Sequence, residues 1–216
     1  MNPIVQALAV LDQEPKFLGK LIDNVYDYVT WDTVEYCLNN PQFYPVEMLC
    51  DGKKLDIPKH MNCWLPAPIN DKRFVFDNVN RGNTFVLLNY SHYNSYTTLL
   101  TKELAEKFDV FPDIHVYGGL AGSVSFGIHK DIPPNIIIQA YGETPWKIWK
   151  DRNDPPVIDL ILKPGEVLYV PGNLYHAAIP SGQRVSMSIP CWPNLNMAGF
   201  TKTNRDFYNI NYDRLY

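Results

Sequence analysis

What this chain has little of narrows it first. Basic charge is short, with 19 Lys and Arg against 23 Asp and Glu and a formal net charge of −4. Duplex nucleic acid is bound chiefly by cations that neutralise phosphates, so a duplex partner is disfavoured. Long apolar runs are missing. Nothing approaches the roughly 18–20 consecutive apolar residues that cross a bilayer, so no membrane partner is expected. The stretch after Met1, with Asn2, Pro3, Gln6 and Asp12, lacks the basic start of a secretory signal, and a cytoplasmic address is the expectation. Cys37, Cys50, Cys63 and Cys191 make no C-x-x-C pair and no structural zinc spacing, which leaves buried thiols in a reducing compartment. Histidine is scarce as well. The five are His60, His92, His115, His129 and His176, so imidazole chemistry has few places to be.

What is present builds a core. With 46% hydrophobic and 13% aromatic residues, 216 residues suffice for one sizeable domain and argue against disorder. Phe17, Leu18, Leu21, Ile22, Val25, Tyr28 and Val29 recur at spacings of three and four, which predicts helix within residues 15–40, with Thr30 or Asp32 capping a second short helix that Pro41 stops. Residues 41–83, with five prolines and Gly52 in an expected hairpin turn, read as short strands and irregular connections. Residues 85–88 read as a buried strand and 96–108 as an amphipathic helix. Beyond Pro112, short strand-like runs follow at 114–117, 123–129, 135–141, 146–149, 157–162, 167–170 and 184–190, punctuated by Gly and Pro pairs. Many short strands at regular spacing predict an antiparallel sandwich or barrel. The expected division is a helical and irregular region at 1–83 packed on a β core at 84–192, with a tail at 193–216.

Two constellations in the β region carry chemistry. In an extended chain residues i and i+2 share a face, so His129 and Asp131 converge while Lys130 turns away. His176 comes 45 residues after Asp131, beyond a strand with a tight turn on each side, and antiparallel pairing brings it beside the first two. Two neutral imidazoles and one carboxylate on one face of an octahedral ion form the triad of non-haem Fe(II) sites, which leaves three positions open; zinc fits the same ligands less distinctively. The second constellation is 181–188, where alternation puts Arg184, Ser186 and Ser188 on one face and Val185, Met187 and Ile189 on the other. An arginine fork holds a carboxylate through two parallel hydrogen bonds; the plainer alternative is an arginine on a solvated strand face.

Phe126-Gly127-Ile128-His129-Lys130-Asp131, then Asn135 to Gln139, Gly142 and Trp146, then the run from Leu162 to Gly172 with His176, resemble the JmjC/cupin-like branch of the Fe(II)- and 2-oxoglutarate-dependent oxygenases. Residues 84–119 are similar to the lead-in of the ribosomal-oxygenase type. The resemblance covers about half the chain. It implies a mainly β fold with α, a double-stranded β-helix (jelly-roll or cupin) core under an N-terminal helical layer. It also implies Fe(II) at His129, Asp131 and His176, with 2-oxoglutarate and O2 as co-substrates, and hydroxylation of a protein or peptidyl side chain, a small molecule being the other substrate class.

The chain departs from the pattern at one point. Much of that branch places a lysine two positions after the Gly of the Gln-x-x-Gly element to grip the far carboxylate of 2-oxoglutarate. Here Thr144 holds that position, and Lys147 turns outward if Trp146 packs inward. Arg184 and Ser186 look like the Arg-x-Ser clamp of other 2-oxoglutarate oxygenases, so Arg184 is the expected clamp, helped by Ser186 and Thr144. Asn135 and Gln139 either orient the co-substrate or pair with neighbours. Apolar Ile136, Ile138, Trp146 and Val170 are expected to keep the pocket dry. His92, His115 and the tyrosine-rich stretches at 90–96 and 207–212 are read as packing or partner surfaces, and dimerisation through the helical layer stays open. Two other functional classes compete: a cupin metalloenzyme that ignores 2-oxoglutarate, and a non-enzymatic binding module.

Overall fold

The structure is a computed structural model that describes residues 1–9, 11, 14–61 and 68–193. Cys63, the stretch at 207–212 and the tail after residue 193 lie outside them.

The chain opens with helix α1 (Pro3–Ala7), capped by the Asn2 side chain, and strand β1 (Lys16–Lys20). Helix α2 (Trp31–Asn39) begins where the Thr30 hydroxyl accepts the Thr33 N–H and the Thr33 hydroxyl accepts the Thr30 N–H, a reciprocal cap. Strands β2 (Val46–Cys50) and β3 (Lys53–Leu55) form a hairpin around Asp51 and Gly52, both at positive φ. Strands β4 (Lys59–His60) and β5 (Ile69–Asn70) form a small separate ribbon. Helix α3 (Lys72–Asn80) starts at Asp71, whose carboxylate accepts the Phe74 N–H. Strand β6 (Thr84–Leu87) leads to helix α4 (Ser95–Phe108), which Asn94 caps at one end and left-handed Asp109 closes at the other.

The remaining strands are β7 (Val110–Pro112), β8 (His115–Gly119), β9 (His129–Lys130), β10 (Asn135–Tyr141) and β11 (Thr144–Trp149). They continue with β12 (Ile158–Leu162), β13 (Glu166–Val170), β14 (Tyr175–Ala178) and β15 (Arg184–Pro193). Among the described residues the larger sheet runs β1-β13-β10-β15-β8-β6-β2-β3, with β7 on the end of β15, and the smaller runs β12-β11-β14-β9. This is a mainly β double-stranded β-helix of the cupin kind. No helix among the described residues is long and apolar enough to cross a membrane.

Strand alternation sorts the interior into two cores. Val185, Met187 and Ile189 of β15, Ile136 and Ile138 of β10 and Val116 of β8 join α1, α2, α3 and α4 in the larger one. The opposite faces of β10 and β13, through Ile137, Leu168 and Val170, meet Trp146, Ile148 and Leu162 of the smaller sheet. Each fully buried aliphatic side chain contributes about 1.5–3 kcal/mol, so the first core anchors the helices and the second joins the two sheets. The candidate site sits at the edge of the second core.

Four expectations are corrected. Residues 15–40 are not one helix with a short successor: β1, a single 3-10 turn at Val25–Asp27 and α2 occupy them. Residues 16–20 pair with β13 through a bulge between Phe17 and Gly19, and the Leu21 and Ile22 N–H groups donate to the Gly165 carbonyl rather than to a helical turn. Residues 72–80, read as irregular, form α3. Most of 123–129 is loop, with strand pairing only at His129–Lys130. The N-terminal region is also more than a helical layer, since β1, β2 and β3 extend the main sheet itself.

Gly142, in the β10–β11 turn, has φ +68°, and a Cβ there would collide with the Gln183 carbonyl oxygen just before β15. Gly142→Ala is expected to cost about 2 kcal/mol or more in denaturant unfolding, whereas Gly182→Ala, with open space at its Cβ, stays within about 0.5 kcal/mol.

Candidate active site

The short strand β9 exists because β14 pairs with it, and the register sets His176 directly opposite His129. On its other side β14 pairs with β11, opposing His176 to Ile148. The ring centroids of the two histidines are 4.3 Å apart. Each ring is oriented from behind: His129 Nδ1 lies 3.0 Å from the Gly127 carbonyl oxygen and His176 Nδ1 lies 3.0 Å from that of Leu174. An Nδ1–H that donates to a carbonyl leaves the Nε2 lone pair free for a cation. Asp131 completes the group, with His129 Nε2 3.5 Å from Oδ1 and His176 Nε2 3.4 Å from Oδ2. Lys130 turns away, its ammonium 4.0 Å over the Tyr175 ring.

The electrostatics suit a cation. Burial, followed by the neighbouring His176, holds His129 below the usual histidine range against the pull of Asp131. Burial pushes the Asp131 carboxyl up, but His176 and then His129 outweigh it and leave it below the usual carboxylate range. A neutral imidazole beside an ionised carboxylate is the protonation state a divalent metal requires. The ligand atoms of His129, Asp131 and His176 all lie within 4.8 Å of one another, so the donor set fits an octahedral ion with one face left open.

A cleft leads from this triad to Arg184 on β15, past Tyr117, Ile137, Trp146, Ser186 and Ser188. The arginine is 2% exposed, and its guanidinium donates to the Ser125 hydroxyl at 2.7 Å. No carboxylate among the described residues forms an ion pair with it. Burial lowers its pKa to about 10, with Tyr117 pulling the other way, so it stays protonated at neutral pH. Depressing an arginine from 12.5 to about 10 corresponds to a burial cost on the order of 3 kcal/mol at neutral pH. A buried cation of this kind is completed by an anion, and a bidentate carboxylate matches its fork.

Other residues singled out from the sequence fall in varied places. The Ser186 hydroxyl donates to Gln139 Oε1 at 2.7 Å, and the Gln139 amide donates to the Tyr141 and Gly142 carbonyls, which braces the turn before β11. Asn135 donates to Asp131 Oδ2 at 2.8 Å and accepts from the Ser188 hydroxyl at 3.2 Å. Neither amide lines the cleft. Thr144 is fully buried with its hydroxyl unpartnered, and Lys147 pairs with Asp159 at 3.1 Å on the outer face. Ile136 and Ile138 belong to the opposite core, a correction to their expected role; Ile137, one residue out of phase, is the side chain that walls the cleft. His60 pairs with Asp71 away from the triad, and His115 pairs with Asp113, close enough to add to the pull that lowers Asp131.

Sequence reasoning missed Tyr117 and Ser125. Tyr117 was within reach of alternation, since it pairs with Ser186 across β8 and β15. Ser125 sits in irregular chain, where no period marks a direction.

Residues 90–196 match the JmjC domain family. Over 130 residues the chain is 27% identical to a bifunctional lysine-specific demethylase and histidyl-hydroxylase NO66 from Drosophila persimilis, covering 53% of this chain and 19% of the relative. The corresponding protein of Drosophila pseudoobscura pseudoobscura is 26% identical, with 53% and 14% covered, so the chain spans less than a fifth of either relative. The ribosomal oxygenase YcfD from Escherichia coli, solved with cobalt and 2-oxoglutarate, superposes with a TM-score of 0.64 at 18% identity over 98% of this chain and 56% of that one. Its complex with cobalt and succinic acid gives 0.65 at 19% identity, over 97% and 56%. The fold is therefore shared along nearly the whole described chain, and the stretch that matches the JmjC domain family contains His129, Asp131, His176 and Arg184.

Proposed function

We propose that this protein is an Fe(II)- and 2-oxoglutarate-dependent oxygenase that hydroxylates a protein side chain. The observation that carries the reading is the buried, unpaired Arg184 in the cleft that leads to the His129, Asp131 and His176 donors. A ligand that chelates a metal through a keto acid at one end and offers a carboxylate at the other answers both. The ribosomal oxygenase YcfD was solved in complex with cobalt and 2-oxoglutarate, which supports the same pairing here.

In this reading His129 Nε2, Asp131 and His176 Nε2 hold the iron. Bound together, Fe(II) and 2-oxoglutarate supply oxidation of a C–H bond by dioxygen, with one oxygen atom going to the substrate and the other to succinate as carbon dioxide leaves. Arg184 takes the 5-carboxylate, and Ser125, already on its guanidinium, fixes the angle of the fork. Thr144, fully buried with an unspent hydroxyl although not on the cleft wall, is the further donor assigned to that end. Ser186 acts from the cleft wall, and Gln139 and Asn135 act through Ser186 and Asp131. Ile137, Trp146 and Phe126 exclude water from the reacting end. The names of the NO66 relatives, a histidyl-hydroxylase and lysine-specific demethylase, support a protein side chain as substrate.

Anaerobic addition of 2-oxoglutarate to the Fe(II)-loaded protein is expected to raise a weak visible charge-transfer band, absent from Asp131→Ala. Iron shown to be bound without any such band defeats the assignment, and keto-acid-independent turnover favours the cupin alternative. Arg184→Met provides a second check with opposite signs. Replacing the unpaired buried cation by an apolar side chain of similar length is expected to stabilise the metal-free protein by about 1–3 kcal/mol in denaturant unfolding. The same change is expected to remove the extra thermal protection that 2-oxoglutarate gives the metal-loaded protein.

A further inference from the structure

We propose that Asn135 is a positioning residue that keeps Asp131 a one-oxygen ligand, and so sets how many coordination positions a bound metal leaves open. The inference rests on the metal-site reading above. It starts from the way the Asn135 amide is spent. One N–H donates to Asp131 Oδ2 at 2.8 Å and the amide nitrogen also reaches the Pro133 carbonyl oxygen at 3.3 Å. Its oxygen accepts the Ser188 hydroxyl at 3.2 Å. The residue is 3% exposed, so bulk water barely competes for these bonds.

These partners also fix which way the amide points. Flipped, it would set its oxygen against the Asp131 carboxylate and lose the acceptor for Ser188. Ser188 is held in turn, because β15 carries it opposite His115 of β8. The His115 ring is 3.2 Å from Asp113, which accepts the Ser91 hydroxyl at 2.7 Å. The Asp131 main chain is pinned as well, its carbonyl accepting the Asn173 N–H at 2.7 Å just ahead of β14. The amide therefore biases Asp131 against offering both oxygens. Oδ2 spends one lone pair on the amide while lying 3.4 Å from His176 Nε2, and Oδ1, 3.5 Å from His129 Nε2, is the freer oxygen.

The consequence is a count. Two imidazoles and one carboxylate oxygen take three positions of an octahedral ion and leave three, which suffice for a chelating keto acid and dioxygen together. A carboxylate bound through both oxygens leaves two, enough for the keto acid or for dioxygen alone. Asparagine suits the position because it donates to Asp131 and accepts from Ser188 at once. Aspartate lacks the donor, leucine lacks both groups, and serine is too short to bridge them.

The test uses Co(II)-loaded protein, read first by its visible absorption without co-substrate and then by titration with 2-oxoglutarate. In Asn135→Leu, cobalt affinity is expected to stay within about fivefold of wild type, the cobalt spectrum to shift, and the 2-oxoglutarate dissociation constant to rise by about tenfold or more. Ser188→Ala, which leaves the N–H donor but frees the amide, is expected to give a smaller change of about threefold in the same direction. An Asn135→Leu protein with the wild-type cobalt spectrum and wild-type 2-oxoglutarate affinity overturns the proposal. So does one in which cobalt and 2-oxoglutarate affinities fall in step, the mark of a merely structural role. If wild-type Co(II) protein takes up no 2-oxoglutarate, the co-substrate reading fails, and the spectrum without co-substrate still decides on Asn135. Should Asn135→Leu not fold, the spectrum and titration of Ser188→Ala decide by the same criteria.

Discussion

The two-residue alternation of β15 is the constraint on which the rest of this structure depends. The strand pairs with β10 on one side and β8 on the other, so its register aligns Gln139, Ser186 and Tyr117 in one row and Ile137, Ser188 and His115 in the next. Its odd-numbered residues Val185, Met187 and Ile189 are buried against the helices, and its even-numbered residues Arg184, Ser186 and Ser188 face the cleft. A slip of one residue would put the cation into the apolar core and the aliphatics into the cleft. The apolar side thus fixes the position of the polar side.

That coupling explains how the fold tolerates its most costly feature. Holding Arg184 charged and unpaired costs on the order of 3 kcal/mol, while three fully buried aliphatics on the reverse face contribute about 1.5–3 kcal/mol each. The N-terminal elements matter for this reason. Helices α1 to α4 and strands β1 to β3 supply the apolar surface against which the back of the main sheet closes. The triad depends on weaker local structure, a two-residue strand held in register by β14 and two rings braced by backbone carbonyls. It stands on the small sheet, across the second core from the strand that carries the arginine.

Much of this was legible in the sequence where a short-range period carries the information. The i, i+2 spacing of His129 and Asp131, the later His176 and the alternation from Arg184 to Ser188 each state a direction that a strand obeys. Thr30 and the helix ending at Phe108 were equally readable, since caps and amphipathic spacing act within one turn. What escaped is set by partners distant in the chain. Strand β1 is set by its pairing with β13, far along the chain, which the helix-like spacing of residues 17–29 does not announce. Helix α3 was hidden in a proline-rich stretch whose pattern points both ways. Ser125 reaches Arg184 from an irregular loop, where the contact spans 59 residues and no periodicity announces it. The roles of the two buried amides were undecidable without their partners: Asn135 turns on Ser188, 53 residues away, and Gln139 on Ser186, 47 away.

The central claim is that Arg184 waits for the far carboxylate of a keto acid bound at the triad. It is tested most directly by calorimetric titration of anaerobic, metal-loaded protein with 2-oxoglutarate and with 2-oxopentanoate, which keeps the chelating head and replaces the 5-carboxylate by a methyl group. The account predicts that wild type binds 2-oxoglutarate at least about tenfold more tightly, and that Arg184→Met erases the difference. Equal binding of the two keto acids by wild type, or a preference that survives in Arg184→Met, would contradict it.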